Sequence, residues 1–389
     1  MHCLEKYALA CNALIDTPHL EGSFFPLPFD KYITLDLGAE FNHRQYPFFQ
    51  DVIHDILPVL QANSIHIIQL GDPRDPPLQG VYYLNNRTQV GHANYLLKNS
   101  LLHISSQSFS ANVANCLKTP QVLIYEKNEI DLCGPSWDRD SLDLFLHKGA
   151  PRPSLGAPTK TISVLSVYPE KIAKKILNNL SLDSSFLNYE TLYIGDSYIH
   201  NALEVIPNFN APNNAYHKTL VNIRGDLGFN EQAIASWCNC ERKIAIKLPA
   251  VFNFNFLQHI KNFIHGTSYE IHMDTSMETL QQLKSLGKDL RLYSCEENLD
   301  ALKELRLKFL NFSIEQDIKT TEKSLDISED IDYTSFYFKS SKKILSNNQI
   351  FESLPLALQG VQAQAEPLII NSPQFWEDLK FYKIYKKNG

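Results

Sequence analysis

The sequence has no long apolar run and no excess of basic residues. No stretch approaches the roughly 18 to 20 consecutive apolar residues that cross a bilayer, so we expect no transmembrane segment. Its 36 Lys and Arg stand against 43 Asp and Glu, which gives a formal net charge of −7. That balance argues against a protein that binds nucleic acid through a wide basic surface.

The cysteines do not have the spacing of a disulfide framework, and the first residues do not have the pattern expected of a signal peptide. The seven cysteines are scattered and odd in number, which favours reduced thiols over a disulfide framework. Cys238 and Cys240 form a C-x-C pair, but no second pair lies at zinc-ligand spacing, so we expect no metal site there. In the N-terminal "MHCLEKYALACNALI", Glu5 and Lys6 interrupt any signal-peptide pattern. Its apolar positions instead predict an amphipathic helix that packs on the protein, and we expect a cytoplasmic protein.

The first half of the chain reads as alternating strands and helices. With 389 residues, 44% of them hydrophobic and 20% charged, the chain is long enough for two globular domains. Strands are predicted at 31–37, 64–72, 80–86, 101–106 and 120–126, and helices at 46–63, 91–100, 108–117 and 166–180. This alternation indicates βαβ units and a parallel sheet. Residues 127–162, rich in Gly and Pro, are predicted to be a long irregular segment.

A second α/β pattern follows. Its predicted strands are at 189–196, 242–249, 268–274 and 289–295, and its helices at 228–238, 255–266, 276–287 and 296–310. The acidic stretch 315–332 is interpreted as a solvated excursion, with further strands at 334–347 and 367–372 and a closing helix or strand at 374–387. We therefore predict two Rossmann-like α/β domains, 1–180 and 181–389, that face each other across a cleft.

Three places in the first domain have the residue types of a ligand site. The turn 105–108, "SSQS", lies between a strand and a helix with Asn112 in its first turn, where free N–H groups suit a phosphate or sugar. The alternative is that these hydroxyls cap the helix. Gly71 and Asp72 end a strand and could contact a phosphate and a ribose hydroxyl, or form an ordinary turn. Arg44 could bind a diphosphate, or be a solvated loop residue.

Other candidates carry weaker patterns. His92 and His103 could be catalytic bases, but a histidine beside apolar strands is more often a core residue. Ser197 and His200 in "GDSYIH" resemble part of a hydrolase site only faintly. Arg224 and Asp226, in a turn flanked by glycines, could contact a phosphate or an acceptor. No G-x-G-x-x-G follows a strand, which argues against a nucleotide-dependent oxidoreductase.

Residues 31–180 resemble the nucleotide-sugar-binding domain of the ADP-heptose:lipopolysaccharide heptosyltransferase family, which has the GT-B fold. The resemblance rests on an ordered set of segments, namely "RQYPFFQDVI", "IIQLGD", "ANYLLKNSLLHIS", "SSQSFSANVA" and "TPQVLIY". The fourth segment corresponds to a family motif that reads roughly Gly-x-Asp-Ser-Gly-x-x-His-x-Ala.

That motif is altered here. Ser105, Gln107, Phe109 and Asn112 stand where the family has Gly, Asp, Gly and His, while Ser108 and Ala114 match. Gln and Asn can still form neutral hydrogen bonds, and Phe109 crowds a position that the family keeps small. The domain order also differs, because the nucleotide-sugar domain comes last in the family and first here.

The resemblance implies a glycosyltransferase that transfers a sugar from a nucleoside-diphosphate sugar to a glycan or lipopolysaccharide-type acceptor, without a metal or other cofactor. The altered motif favours the alternative of a catalytically inactive GT-B-like binding or scaffolding protein. No catalytic residue is assigned. The substrate-binding residues that we predict are Arg44, Gly71, Asp72, Ser106, Gln107, Ser108 and Asn112.

Overall fold

The computed structural model has an α/β fold with parallel sheets and divides into two compact units. The structure describes residues 2–16, 18–38, 46–138, 140–147, 167–195, 197–198, 202–212, 220–238, 243–317, 336–360 and 378–387. The first unit extends to Glu190 and the second runs from Thr191 to Lys387. The domain boundary predicted from the sequence lies at residue 180.

The first unit is built on one six-stranded sheet. Its strands are β1 (Tyr32–Asp36), β2 (His66–Leu70), β3 (Tyr82–Tyr83), β4 (His103–Ser106), β5 (Gln121–Glu126) and β6 (Leu142–His147). Its helices are α1 (Cys3–Cys11), α2 (Phe49–Ala62), α3 (Val90–Lys98), α4 (Phe109–Cys116), α5 (Lys127–Cys133) and α6 (Pro169–Asn179). All neighbouring strands are parallel, in the order β3-β2-β1-β4-β5-β6. The parallel sheet predicted from the sequence is confirmed, and its order is that of a doubly wound fold.

The middle strand of this sheet is covered on both faces. Every residue of β1 is buried, as expected for a central strand of a parallel sheet. Tyr32 packs in a cluster with residues of α3 and α4. Because side chains alternate along a strand, Ile33 and Leu35 face the opposite side, and both are fully buried.

Two predictions for the first unit are wrong in part. The segment predicted to be irregular at 127–162 contains α5 and β6. The pairing of β6 along the whole length of β5 is a non-local interaction that local composition does not report. The N-terminal helix is present as α1, but none of its residues is buried. Tyr7 exposes about two thirds of its surface and Leu14 is fully exposed, so these two residues do not pack as the pattern predicted.

The second unit contains a larger sheet. Its strands are β7 (Tyr189–Ile194), β8 (Ala202–Val205), β9 (Leu220–Arg224), β10 (Lys243–Lys247), β11 (Ile264–Glu270), β12 (Asp289–Ser294), β13 (Ile314–Gln316), β14 (Phe336–Ser340), β15 (Lys342–Ser346), β16 (Gln349–Phe351) and β17 (Tyr382–Lys387). Its helices are α7 (Glu231–Cys238), α8 (Phe254–Ile260), α9 (Met277–Ser285), α10 (Leu299–Lys308) and α11 (Leu354–Gln359). The large sheet has the order β13-β12-β11-β10-β9-β8-β15-β16, and β14, β17 and β7 form a separate small sheet.

The second α/β pattern is confirmed, with corrections at several elements. The helix predicted at 255–266 ends at Ile260, and β11 begins at Ile264 rather than at residue 268. Gly266 was interpreted as the end of the predicted helix, but it lies inside the strand, where a Cβ would stand 2.7 Å from the carbonyl oxygen of Asp289. The strands β8, β9, β13 and β16 were not predicted. The closing segment is a strand at β17, while residues 318–335 and 361–377 lie outside the described residues.

A buried network of charges connects several parts of the second unit. Arg224 at the end of β9 donates to Glu204 on β8 at 2.9 Å and to Asp226 at 2.8 Å. Lys342 at the start of β15 lies 2.7 Å from Glu204 and 2.6 Å from Asp378. Burial raises the pKa of Asp378. Burial acts in the same direction on Glu204, but Lys342 and Arg224 together hold the pKa of Glu204 below its usual range. The network therefore depends on each cation remaining in place.

We expect Lys342→Met to destabilise the protein strongly. The substitution leaves two buried carboxylates without their shared cation, which typically costs about 3 to 5 kcal/mol of unfolding free energy. Lys343→Met is the matched control, because Lys343 is the next residue of the same strand, has 41% of its side chain exposed and pairs with the half-buried Glu352. Its loss should cost less than about 1 kcal/mol. Urea denaturation of both variants measures the difference, and equal losses would contradict this account of the network.

Candidate functional site

The reversal of strand order in the six-stranded sheet brings the carboxyl ends of β1 and β4 together. Asp36, the last residue of β1, pairs in register with Ser105 of β4. The chain that leaves β2 turns at Gly71 immediately beside them. In doubly wound sheets ligands bind in the crevice beyond such a reversal, so this edge is the candidate site.

Asp36 is the central group of this edge, and the sequence analysis did not single it out. The residue is 6% exposed. Its Oδ2 lies 2.5 Å from the hydroxyl of Ser110, and its Oδ1 accepts a hydrogen bond from the backbone N–H of Gly38 at 2.9 Å. Burial raises the pKa of Asp36 to about 6, opposed by the hydrogen bonds that Ser110 and the backbone N–H of Gly38 can donate to the ionised carboxylate, and the charge of Asp75 raises the pKa further. A carboxyl group that titrates near neutral pH at a switch point is a typical functional group.

Hydroxyl groups and one histidine surround Asp36. Ser110 lies 2.8 Å from the hydroxyl of Ser108 and 3.1 Å from Nε2 of His103. Ser108 caps α4 by accepting from the backbone N–H of Ala111, and its hydroxyl oxygen lies 3.3 Å from that of Ser105. Burial lowers the pKa of His103 to about 3, so its imidazole is neutral. The sequence offered His103 as a base or as a core residue, and the structure buries it completely.

A second carboxylate lies on the other side of Gly71. Gly71 has a φ of +135°, and a Cβ there would stand 2.8 Å from Oδ2 of Asp75 and 2.9 Å from Oδ1 of Asp36. Only glycine fits between these two oxygens with this backbone. Asn85 donates from Nδ2 to the carbonyl of Asp72 at 2.8 Å and lies 3.5 Å from Asp75. The buried Oδ1 of Asn85 has no hydrogen-bond partner among the described residues, and such groups usually bind a water or ligand.

The side chains of the predicted turn form hydrogen bonds mainly with other groups of the protein. Ser106 is fully buried, and its hydroxyl accepts from the backbone N–H of Tyr46 at 2.9 Å. Ser108 caps its own helix, which is the alternative role that the sequence left open. Asn112 donates back to the carbonyl of Ser108 at 3.3 Å. Gln107 is half-buried, with Nε2 2.9 Å from the sulfur of Cys133.

The remaining predicted residues have different surroundings. Asp72 is half-buried and forms an ion pair with the exposed Arg74 at 2.8 Å. Phe109 is 75% exposed. Arg44 lies outside the described residues. The described part of this edge therefore offers carboxylate and hydroxyl oxygens, which accept hydrogen bonds from sugar hydroxyls.

The second unit has a cavity of about 580 Å³. Its floor is one face of the strands β9 to β12, where Asn222, Arg224, Lys247 and Ser268 alternate with residues that pack against the helices. Parallel strands are usually apolar on both faces because helices cover both. This sheet instead presents charged groups to the cavity. Arg224 and Asp226, predicted as ligand contacts, pair with each other at its edge.

Other sequence candidates do not form a site. His92 accepts from the backbone N–H of Gln89 at 3.3 Å at the start of α3. His200 and Cys240 lie outside the described residues, so the pairs Ser197–His200 and Cys238–Cys240 cannot be described. Within the described ranges, no group of three or more His, Cys, Asp or Glu side chains is arranged to hold a metal ion. None of the described helices is long and apolar enough to cross a membrane.

Comparison with known proteins gives structural similarities only. No protein-family model matches the sequence, and no curated protein matches it significantly. Among solved structures, the chain is similar to ADP-heptose lipopolysaccharide heptosyltransferase II of E. coli, with 15% identity and a TM-score of 0.31 over 40% of this chain and 48% of that one. It is also similar to a family 9 glycosyl transferase of Veillonella parvula, with 16% identity and a TM-score of 0.31 over 46% and 51%.

A third similar structure is the E. coli heptosyltransferase WaaC with ADP, with 12% identity and a TM-score of 0.31 over 46% of this chain and 57% of that one. The chain spans about half the length of each of these three proteins. At such identities and scores the similarity carries no argument about function. The functional conclusion must therefore come from the site itself.

The raised pKa of Asp36 predicts a specific pH dependence of stability. The folded protein holds this proton up to about pH 6, whereas the unfolded chain releases it near 3.8. The contribution of this bound proton to the free energy of unfolding is therefore complete below about pH 4 and is lost as the pH rises to about 6. Asp36→Asn should gain up to about 3 kcal/mol relative to wild type between pH 4 and pH 7.

Denaturation of wild type and variant across this pH range measures the gain. Asp72→Asn is the control, because the hydrogen bonds from Arg74 lower the pKa of Asp72 to about 2. Its effect on stability should be constant above pH 5. A difference between wild type and Asp36→Asn that does not change with pH would contradict the assignment.

Proposed function

We propose that this protein is a glycosyltransferase-like protein whose first unit binds a nucleoside-diphosphate sugar at the carboxyl ends of β1, β2 and β4. The observation that carries the proposal is Asp36, a buried carboxyl group with a pKa near 6 at the reversal of strand order. In this role the carboxyl group of Asp36 accepts a hydrogen bond from a hydroxyl of the bound sugar.

The neighbouring groups fit a ligand rich in hydroxyls. The unpaired Oδ1 of Asn85 supplies a second acceptor, and Gly71 leaves room beside Asp75. Arg44, the cation predicted from the sequence, takes the diphosphate in this proposal. The N-terminus of α4 adds a weaker attraction for negative charge.

The proposal also assigns the acceptor to the second unit. The cavity on β9 to β12 has a volume of about 580 Å³, which is in the range of small-ligand sites. Its mixed donors and acceptors suit a glycan. A lipopolysaccharide-type acceptor, a GT-B-like organisation with changed domain order and the cleft between the domains belong to the proposal as predictions from the sequence.

A second candidate function is a binding protein without catalysis. The observation in its favour is that the hydroxyls of the predicted turn are already used, with Ser106 bound to Tyr46 and Ser108 capping α4. His103 is neutral and buried, so it supplies no charge to a leaving group. In this alternative the protein binds the same ligand but catalyses no reaction.

Binding and turnover measurements separate the two functions. We expect sugar nucleotides to raise the melting temperature more than nucleoside diphosphates do, because the sugar hydroxyls contact Asp36. Incubation with a panel of sugar nucleotides and glycans, followed by assay of released nucleoside diphosphate, then tests transfer. Stabilisation with release supports the transferase, and stabilisation without release supports the binding protein.

Asp36→Ala tests the role of the carboxyl group. It should weaken the binding of sugar nucleotides by up to about tenfold, since a hydrogen bond between neutral groups contributes about 0.5 to 1.5 kcal/mol. The binding of nucleoside diphosphates should not weaken, and above about pH 6 it should strengthen, because the variant lacks the negative charge of the ionised carboxyl group. Asp183→Ala, at an exposed position of the same unit, serves as the control. Absence of stabilisation by every sugar nucleotide would refute both functions.

A further inference from the structure

A continuous hydrogen-bond chain leads from Asp36 into the protein. Starting from the inner end, the hydroxyl of Ser100 donates to the carbonyl of Leu102 at 2.7 Å. Thr34 lies 3.1 Å from Ser100 and 3.0 Å from Nδ1 of His103. Nε2 of His103 lies 3.1 Å from Ser110, whose oxygen is 2.5 Å from Asp36. We call this series, Ser100–Thr34–His103–Ser110–Asp36, the Asp36 chain.

The direction of each hydrogen bond in the Asp36 chain follows from its inner end. A carbonyl oxygen can only accept, so the single hydrogen of the Ser100 hydroxyl points to Leu102. Ser100 therefore accepts from Thr34, and the oxygen of Thr34 is left to accept from Nδ1–H of His103. These assignments use only the fact that each hydroxyl carries one hydrogen.

The direction continues to the carboxyl group. His103 is fully buried and neutral, so it carries one ring proton. The hydroxyl of Ser108 lies 2.8 Å from Ser110 and 3.3 Å from Ser105, so its hydrogen is assigned to the shorter contact, with Ser110. With the ring proton on Nδ1, Nε2 of His103 is an acceptor, and Ser110 is the group within reach that can donate to it among the described residues. Ser110 then has no hydrogen left for Asp36. A contact of 2.5 Å between the two oxygens requires a hydrogen between them, and that hydrogen must come from the carboxyl group.

We propose that at mildly acidic pH Asp36 carries a proton in the ligand-free protein and donates it in a hydrogen bond to Ser110, with Ser110 and His103 acting as positioning residues that fix this state. When Asp36 releases its proton to water, the hydrogen of Ser110 turns from His103 to Asp36. Nε2 of His103 then loses its donor, or the ring proton moves to Nε2 and the contact with Thr34 changes. Either way, the chain loses a hydrogen bond on ionisation.

The charged and titratable groups that face Asp36 act in the same direction. Asp75 lies across Gly71 and raises the pKa of Asp36, while His103 is neutral and contributes no positive charge. The backbone N–H of Gly38 opposes them with one hydrogen bond. The geometry of the Asp36 chain thus adds to an electrostatic environment that already favours the neutral acid.

This inference has a consequence that rests on the proposed function. A nucleoside diphosphate is an anion, and an ionised Asp36 beside Asp75 would repel it. A proton on Asp36 removes one of these negative charges. Binding of the anion should therefore be accompanied by uptake of a proton when the pH is above about 6, and the affinity should fall as the pH rises.

Nuclear magnetic resonance of the ligand-free protein tests the Asp36 chain directly. With histidine labelled by ¹⁵N, and the His103 signal assigned by its loss in His103→Gln, the ring shifts report which nitrogen carries the proton. We expect Nδ1–H and a bare Nε2 at pH 5. The shifts should titrate with a midpoint near pH 6 although the imidazole stays neutral throughout.

Two variants make the test specific. Asn at position 36 can donate from its amide to Ser110, so Asp36→Asn should hold His103 in the pH 5 form at every pH. Ser110→Ala should separate His103 from Asp36 and abolish the titration. A proton on Nε2 in wild type at pH 5, or a titration that persists in both variants, would overturn the proposal.

A calorimetric measurement tests the consequence for binding. Titration of wild type with nucleoside diphosphate in buffers of different ionisation enthalpy should show proton uptake at pH 7 that is absent in Asp36→Asn. Binding without uptake would overturn the coupling. If no nucleotide binds, the proposed function fails while the tautomer of His103 still decides the Asp36 chain.

Discussion

The contact between Asp36 and Ser110 connects the sheet of the first unit to the helix that follows β4. It forms because β1 and β4 are neighbours in space although the chain between them includes β2, β3 and two helices. Two nearby backbone segments also lie directly against this carboxyl group. Gly38 donates an N–H to it, and Gly71 passes where no side chain would fit. Buried polar groups of this kind are stable only when their partners are all in place.

Most of the first unit follows from local sequence patterns. The apolar strand "YITLD" and the helix that begins at Phe49 are apparent because their periodicities differ and each is long enough to bury a face. The exact environment of Ser106 could not be predicted, since its partner is the backbone N–H of Tyr46, 60 residues away. Asp36 was missed for a related reason. It stands at the end of a strand pattern, and only the strand order shows that β4 and α4 close over it.

The errors in the second unit have a physical cause of their own. Gly266 is tolerated within β11 because β12 approaches its Cα closely, which is a non-local fact. The ion pairs of Arg224 could not be predicted from the sequence either. Asp226 is close in the chain, but Glu204 belongs to another strand, and the link continues through Lys342 to Asp378. A local pattern identified Arg224 and Asp226 as ligand contacts, whereas their first role in the structure is to neutralise each other.

The alternation of charged and apolar residues along β9 to β12 also constrains how these strands can pair during folding. Arg224 and Lys247 lie on the cavity face, whereas Ile223 and Ile246 lie in the core with the helices. A slip of one residue between neighbouring strands would exchange the two faces and place the cations against Trp237 and Leu257. In parallel strands that are apolar on both sides, a slip of one residue would not bring charged side chains into the core. The hydrophilic face therefore disfavours misaligned pairing of the strands, whether or not it also binds a ligand.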